Sequence, residues 1–215
     1  MVSVQVWKDM QAISGLSFGV FLCMHLFSHY SLRLSFETAN SHLLRFRTIY
    51  QHPVFEISLL LSLLLHMTSN VQLYLLRRKV AKGVKGKTNG KDAQGTTEGA
   101  AELSAHRYAG YFLGLSLFGH VGATRLAPYM FLDDPSEYDY GFIKAVNDKV
   151  PYNLFAGYLC ILGMAGGWHL IYGSLSAVSH LLGSPLLGKP FPTSVKYFAM
   201  ASHVFMINGI VALCG

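Results

Sequence analysis

Residues 14–29 read S-G-L-S-F-G-V-F-L-C-M-H-L-F-S-H, an apolar stretch with one histidine, His25, deep inside it. The pattern returns at 109–120 as A-G-Y-F-L-G-L-S-L-F-G-H. Gly15, Gly19 and His25 stand at offsets 0, 4 and 10, and Gly110, Gly114 and His120 stand at the same offsets ninety-five residues later. Two further apolar stretches each carry one deep histidine, His66 and His169. Histidine is expensive inside an apolar helix, so four of them, two in a repeated setting, call for a common reason.

The surrounding composition is that of a membrane protein. Of 215 residues 52% are hydrophobic and only 13% charged, where a soluble domain carries about a quarter charged; the mean hydropathy is +0.35. The charges are segregated, leaving five uncharged or nearly uncharged runs at 11–30, 53–76, 106–126, 153–177 and 193–214. Each approaches the ~20 residues that a helix needs to cross the hydrocarbon of a bilayer. The expected architecture is all-α, a single integral membrane domain over 1–215 with five transmembrane helices, in which spans I–II and III–IV repeat as two hairpins. Cys23, Cys160 and Cys214 all fall in these spans without C-x-x-C pairing, which excludes a disulfide framework or a zinc site. The start, M-V-S-V-Q-V-W-K-D-M, lacks both the basic n-region of a secretory signal and the arginines of a mitochondrial presequence, so a presequence is expected to be removed or unnecessary.

Between the spans the chain changes character. Residues 1–10 read as a short amphipathic lead with Trp7 and Lys8 at the interface. Residues 77–104 form a flexible basic loop, with Arg77, Arg78, Lys79, Lys82, Lys85, Lys87 and Lys91 preceding the first acid, Asp92. The loop at 127–152 is acidic, with Asp133, Asp134, Glu137, Asp139 and Asp148 against Lys144 and Lys149. With five spans the N-terminus, the II–III loop and the IV–V loop share one side and collect eleven of the 17 basic residues, leaving six opposite. By the positive-inside rule the N-terminus faces the matrix or cytoplasm. These charges read as topological anchors or contacts with anionic lipid, and no nucleic-acid partner is expected.

Depth along the spans groups the histidines. At ~1.5 Å per residue, His25 lies about 21 Å past Gln11 and His120 about 21 Å past His106, both measured from the positive side. Spans II and IV run the other way, which leaves His66 and His169 only about 6–10 Å above that side. His25 therefore pairs with His120 at an upper level, and His66 with His169 at a lower one. Neutral imidazole is a good axial ligand of haem iron, binding through one nitrogen while the other N–H fixes its orientation. Two bis-histidine haems b, stacked across the membrane, use all four. No C-x-x-C-H is present, so c-type attachment is excluded.

Other residues have roles to fill beside them. His29, one turn beyond His25 on the same face, either replaces it as ligand or bonds a haem propionate or quinone carbonyl; the latter is preferred. Arg125 and Arg33 are candidates for the upper propionates, Arg107 and Arg77 for the lower. Glu56, the only acid within a span, is either an interfacial carboxylate or a proton acceptor beside a quinol. Gly15-x-x-x-Gly19 and Gly110-x-x-x-Gly114 are assigned to helix packing, with porphyrin clearance secondary. His42, His52, His106 and His180 read as interfacial and His203 as packing.

The S-G-L-x-x-G motif with a histidine ten residues past its glycine, the H-R-Y-A-G that opens span III and one histidine in each of four helices resemble the membrane anchor of succinate:quinone oxidoreductases and fumarate reductases, in its five-helix, two-haem form. The resemblance covers spans I to IV. It implies the pairing His25 with His120 and His66 with His169, electron transfer between an iron–sulfur protein and membrane quinone, iron–sulfur and flavoprotein partner subunits, and a mitochondrial or bacterial inner membrane. The chain is also similar to a fungal mitochondrial adaptor family with a related transmembrane domain, linked to organelle contacts and lipid balance. Two functions follow: an electron-carrying anchor without a dicarboxylate site of its own, or a membrane adaptor on the same scaffold that recruits partners through its loops. A transporter fits poorly, because the spans show no broken helices with polar midplanes.

Overall fold

A computed structural model describes residues 3–84, 97–135, 138–183 and 190–214. The middle of the expected flexible loop (85–96), Glu137 and most of the turn before span V (184–189) lie outside them. Every element among the described residues is helical: α1 (Val4–Ser31), α2 (Phe36–Tyr50), α3 (Pro53–Val84), α4 (Thr97–Val121), a π-helical turn (Gly122–Leu126), α5 (Ala127–Phe131), α6 (Tyr140–Lys149), a 3-10 turn (Pro151–Asn153), α7 (Leu154–Leu181) and α8 (Thr193–Cys214). Four of them, α1, α3, α7 and α8, are long and apolar enough to cross a membrane. The chain is thus an all-α integral membrane protein.

The lipid-facing surface is visible in what the helices leave uncovered. Leu60, Leu61 and Leu64 on α3 and Leu115 and Phe118 on α4 are all more than half exposed. Water would penalise such patches, whereas acyl chains do not. α4 falls outside the four spans because His106, Arg107, Ser116 and His120, with its tyrosines and glycines, keep any 18-residue stretch of it less apolar than those of the other four.

Three expectations about the connections change. The amphipathic lead is part of α1, which begins at Val4 behind a Ser3 cap whose Oγ accepts the Val6 N–H at 3.2 Å. The loop between spans I and II folds as α2, started by Ser35, whose Oγ accepts the Thr38 N–H. The acidic loop folds as α6, capped by Asp139. In both loops a Ser or Asp cap precedes an amphipathic run too short to span, which is how an interfacial helix is written.

α2 and α6 lie together over one end of the bundle. Asn40 donates to Asp139 Oδ2 at 3.0 Å and accepts the Tyr140 N–H at 3.0 Å. Arg47 donates to the Tyr138 carbonyl. Asn147, almost fully buried, accepts the Ala156 N–H and so ties α6 to the start of α7.

The long helices pack in the order α3, α1, α7, α4, with α8 against α7 and the end of α1. Gly19 meets Leu170 and Ser174 of α7, and Gly163 lets α8 approach through Met206. Neither α1 with α4 nor α3 with α7 packs closely, so these two pairs stand diagonally. α3 and the π turn that follows α4 are joined at one end by Glu56 and Arg125 (Nε–Oε1 2.5 Å, Nη2–Oε2 3.0 Å). At the other end Arg77 and Arg107 come near enough to repel.

α4 and α8 share a second polar tie. Glu102 accepts Lys196 Nζ at 2.8 Å and the Phe191 N–H at 2.9 Å. Its side chain is only 10% exposed. Glu102→Ala strands a buried N–H and an ammonium together, so it is expected to destabilise the fold by about 2–4 kcal/mol. Thermal unfolding in detergent should show a larger loss for this variant than for Lys144→Ala, whose partner Asp148 is exposed.

Candidate functional site: two histidine pairs on diagonal helices

The diagonal helices are the ones that carry the deep histidines. His66 of α3 faces His169 of α7 with ring centroids 6.3 Å apart and planes at 89°. His25 of α1 faces His120 of α4 at 5.8 Å and 74°. The chain thus brings the four together two by two, and all four rings are half-buried.

The lower pair is held by a repeated support. His66 Nδ1 lies 3.1 Å from the Gln11 carbonyl, and His169 Nδ1 lies 3.2 Å from the His106 carbonyl. A carbonyl only accepts, so each Nδ1 carries its proton and each Nε2 is left with a bare lone pair. Gln11 and His106 occupy equivalent positions, ninety-five residues apart and four residues before Gly15 and Gly110. Those glycines make room for the rings. A Cβ at Gly15 would sit 3.0 Å from His66 Cε1, and one at Gly110 would sit 2.9 Å from His169 Cε1. Ring clearance is therefore their local role, ahead of the helix packing expected of them. Of the other two, Gly19 packs on α7 and Gly114 faces open space.

His106, expected at the interface, is instead packed inside. Its ring stacks on His169 at 4.2 Å and 7° and on Tyr172 at 4.7 Å and 26°. Its position in the repeat was the available clue, since it matches Gln11. Arg107 and Arg77 flank this end of the bundle, and among the described residues neither has a hydrogen-bond or ion-pair partner.

The upper pair is built differently. His29 Nε2 stands 3.4 Å from His25 Nε2, and His120 is close enough to interact electrostatically with both. His29 Nδ1 lies 3.1 Å from the hydroxyl of Tyr140, the fully buried first residue of α6, which also reaches Ser28 Oγ at 3.2 Å. Burial pushes the Tyr140 phenol well above the usual tyrosine range, so its proton stays on. His25 Nδ1, by contrast, is buried without a partner. Immediately past His120 the helix widens into the π turn, a feature that often marks a working site. Arg125 sits in that turn and is engaged by Glu56 and by the Tyr129 hydroxyl.

The remaining histidines are accounted for locally. His180 Nε2 meets Asp9 Oδ1 at 2.9 Å, His42 Nδ1 meets Ser31 Oγ at 2.7 Å, and His52 stands edge-on to Phe55. His203 of α8 contacts the Met164 carbonyl at 3.0 Å and the Ala199 carbonyl, and Gly167 gives it room, which is a packing role.

An iron bound through both Nε2 atoms at about 2 Å separates two imidazole centroids by roughly 6 Å. Both pairs have that spacing, and the lower pair has the tautomer and the glycine clearance as well. Among the described residues no three His, Cys, Asp or Glu side chains are grouped to hold a bare metal ion. His66 with His169, and His25 with His120, are the residues that would hold a haem, which would supply one-electron redox chemistry. The residues present fit haem. No protein-family model, curated protein or solved structure matches this chain.

Proposed function

We propose that the chain is a haem b-carrying membrane anchor of a succinate dehydrogenase-type complex, passing electrons between an iron–sulfur subunit and membrane quinone. The observation that carries this reading is the lower pair: two imidazoles about 6 Å apart, each with Nδ1–H tied to an equivalent carbonyl and each backed by an equivalent glycine. A merely packed histidine does not require its tautomer and its room to be specified twice in one repeat. Haem bound at the two levels would supply one-electron carriage across the membrane.

The chain's own residues do the positioning. The Gln11 and His106 carbonyls hold the lower rings by Nδ1–H, which leaves each Nε2 unprotonated and raises its basicity. Arg77 and Arg107 offer charge to carboxylates at the lower end, while Arg125 is committed to Glu56 unless an upper carboxylate displaces it. In this reading α4 is the fifth span, the two hairpins α1–α3 and α4–α7 repeat, and the basic side with the N-terminus faces the matrix of a mitochondrial inner membrane or a bacterial cytoplasm. The iron–sulfur and flavoprotein subunits dock there.

Purified protein is expected to show a reduced-minus-oxidised spectrum of b type, with a pyridine haemochrome count of two per chain. Absence of any b-type absorbance would sink the reading. Co-purification of a flavoprotein and an iron–sulfur protein separates the electron-carrying anchor from a membrane adaptor built on the same scaffold.

A further inference from the structure

The repeat nominates His25 as the upper partner of His120, but the hydrogen bonds around α1 favour its neighbour. Ser28 Oγ donates to the His25 carbonyl at 2.7 Å, so the same oxygen can only accept from the Tyr140 hydroxyl. With its proton directed to Ser28, the Tyr140 oxygen accepts from His29 Nδ1–H. The chain His29 Nδ1–H, Tyr140 O–H, Ser28 O–H, His25 C=O is thus polarised in one direction throughout. It leaves His29 Nε2 unprotonated, 3.4 Å from His25 Nε2. Nothing comparable orients His25, whose Nδ1 is buried and unpartnered. With His29 Nε2 bare, the 3.4 Å contact between the rings needs the proton on His25 Nε2, the atom a metal would require free.

The lower pair supplies the standard of comparison inside the same molecule. There each ring shows Nδ1–H on an oxygen and Nε2 free. In the upper cluster His29 has its Nδ1–H on an oxygen and its Nε2 unprotonated, engaged only by the His25 N–H that a metal would displace, whereas His25 has neither. We infer that His29 is the α1 ligand of the upper haem, opposite His120, with Tyr140 of α6 as the positioning residue that fixes its tautomer. The lid helix α6 is then part of the upper site, and His25 stands beside the ligand with its ring edge-on to it. This assignment rests on the proposed haem binding and reverses the preference for a propionate or quinone role of His29.

The test uses the full chain with haem counted by pyridine haemochrome and low-spin ferric signals followed by electron paramagnetic resonance. Wild type carries two haems, His29→Leu one, and His25→Leu two. Tyr140→Phe removes only the hydroxyl and is expected to weaken retention of the upper haem by about 10- to 100-fold, as loss of an outer-shell partner does. One haem in His25→Leu together with two in His29→Leu overturns the assignment. If both leucine variants fall to one haem, Tyr140→Phe decides: weakened retention supports His29, and unchanged retention overturns it. If both leucine variants keep two haems, the assignment is also overturned. A wild type without haem is a different result, which removes the functional reading and this assignment with it.

Discussion

His66→Ala is expected to leave one haem per chain where wild type holds two, and to leave the upper haem's spectrum unchanged. His169→Ala should give the same product, because the two rings face each other 6.3 Å apart on diagonal helices and belong to one site. The double variant should lose nothing more. His120→Ala should remove the other haem, and His203→Ala should remove neither, since its nitrogens lie on the Met164 and Ala199 carbonyls. Retention of one haem in each single variant doubles as evidence that the bundle still folds. Haemochrome counts and low-temperature difference spectra check the whole set. If His66→Ala and His169→Ala extinguished different signals, the pairing itself would be wrong.

The second large effect comes from a residue with no chemistry of its own. A methyl group at Gly110 would lie 2.9 Å from His169 Cε1, closer than a Cβ normally comes to any atom. His169 has little freedom to retreat. The His106 ring stacks on it at 4.2 Å, and the His106 carbonyl holds its Nδ1. Gly110→Ala is therefore expected to dislodge the ring and lose the lower haem, and Gly15→Ala to do the same through His66. Gly114→Ala, one turn further along α4, meets open space. It should keep both haems and gain up to about 1 kcal/mol from better helix propensity. Haem content and thermal unfolding in detergent distinguish the three variants. Full lower-haem occupancy in Gly110→Ala would refute the clearance role.

Much of the framework was legible before any tertiary structure. Runs of uncharged residues located the long helices, and span V matches α8 residue for residue. Rise per residue put His66 with His169 and His25 with His120 at matching depths. The edges were less legible. α2 and α6 look like loops in sequence because their charges hide caps at Ser35 and Asp139 and interfacial faces too short to span. α4 has the uncharged run of a span, but its histidines, tyrosines and glycines make it less apolar than the four clear candidates.

What the sequence alone determined is the axial coordinate: which residues are apolar, how far along a helix each histidine stands, and that two stretches repeat at ninety-five residues. What only the tertiary structure decided is the lateral one. Helical rise is nearly invariant, but rotation about each axis and the choice of neighbour depend on side chains from several helices packing at once. That is why Gly15 and Gly110 turned out to face imidazoles, why His106 lies stacked inside, and why Tyr140, more than a hundred residues from His29, bonds to it.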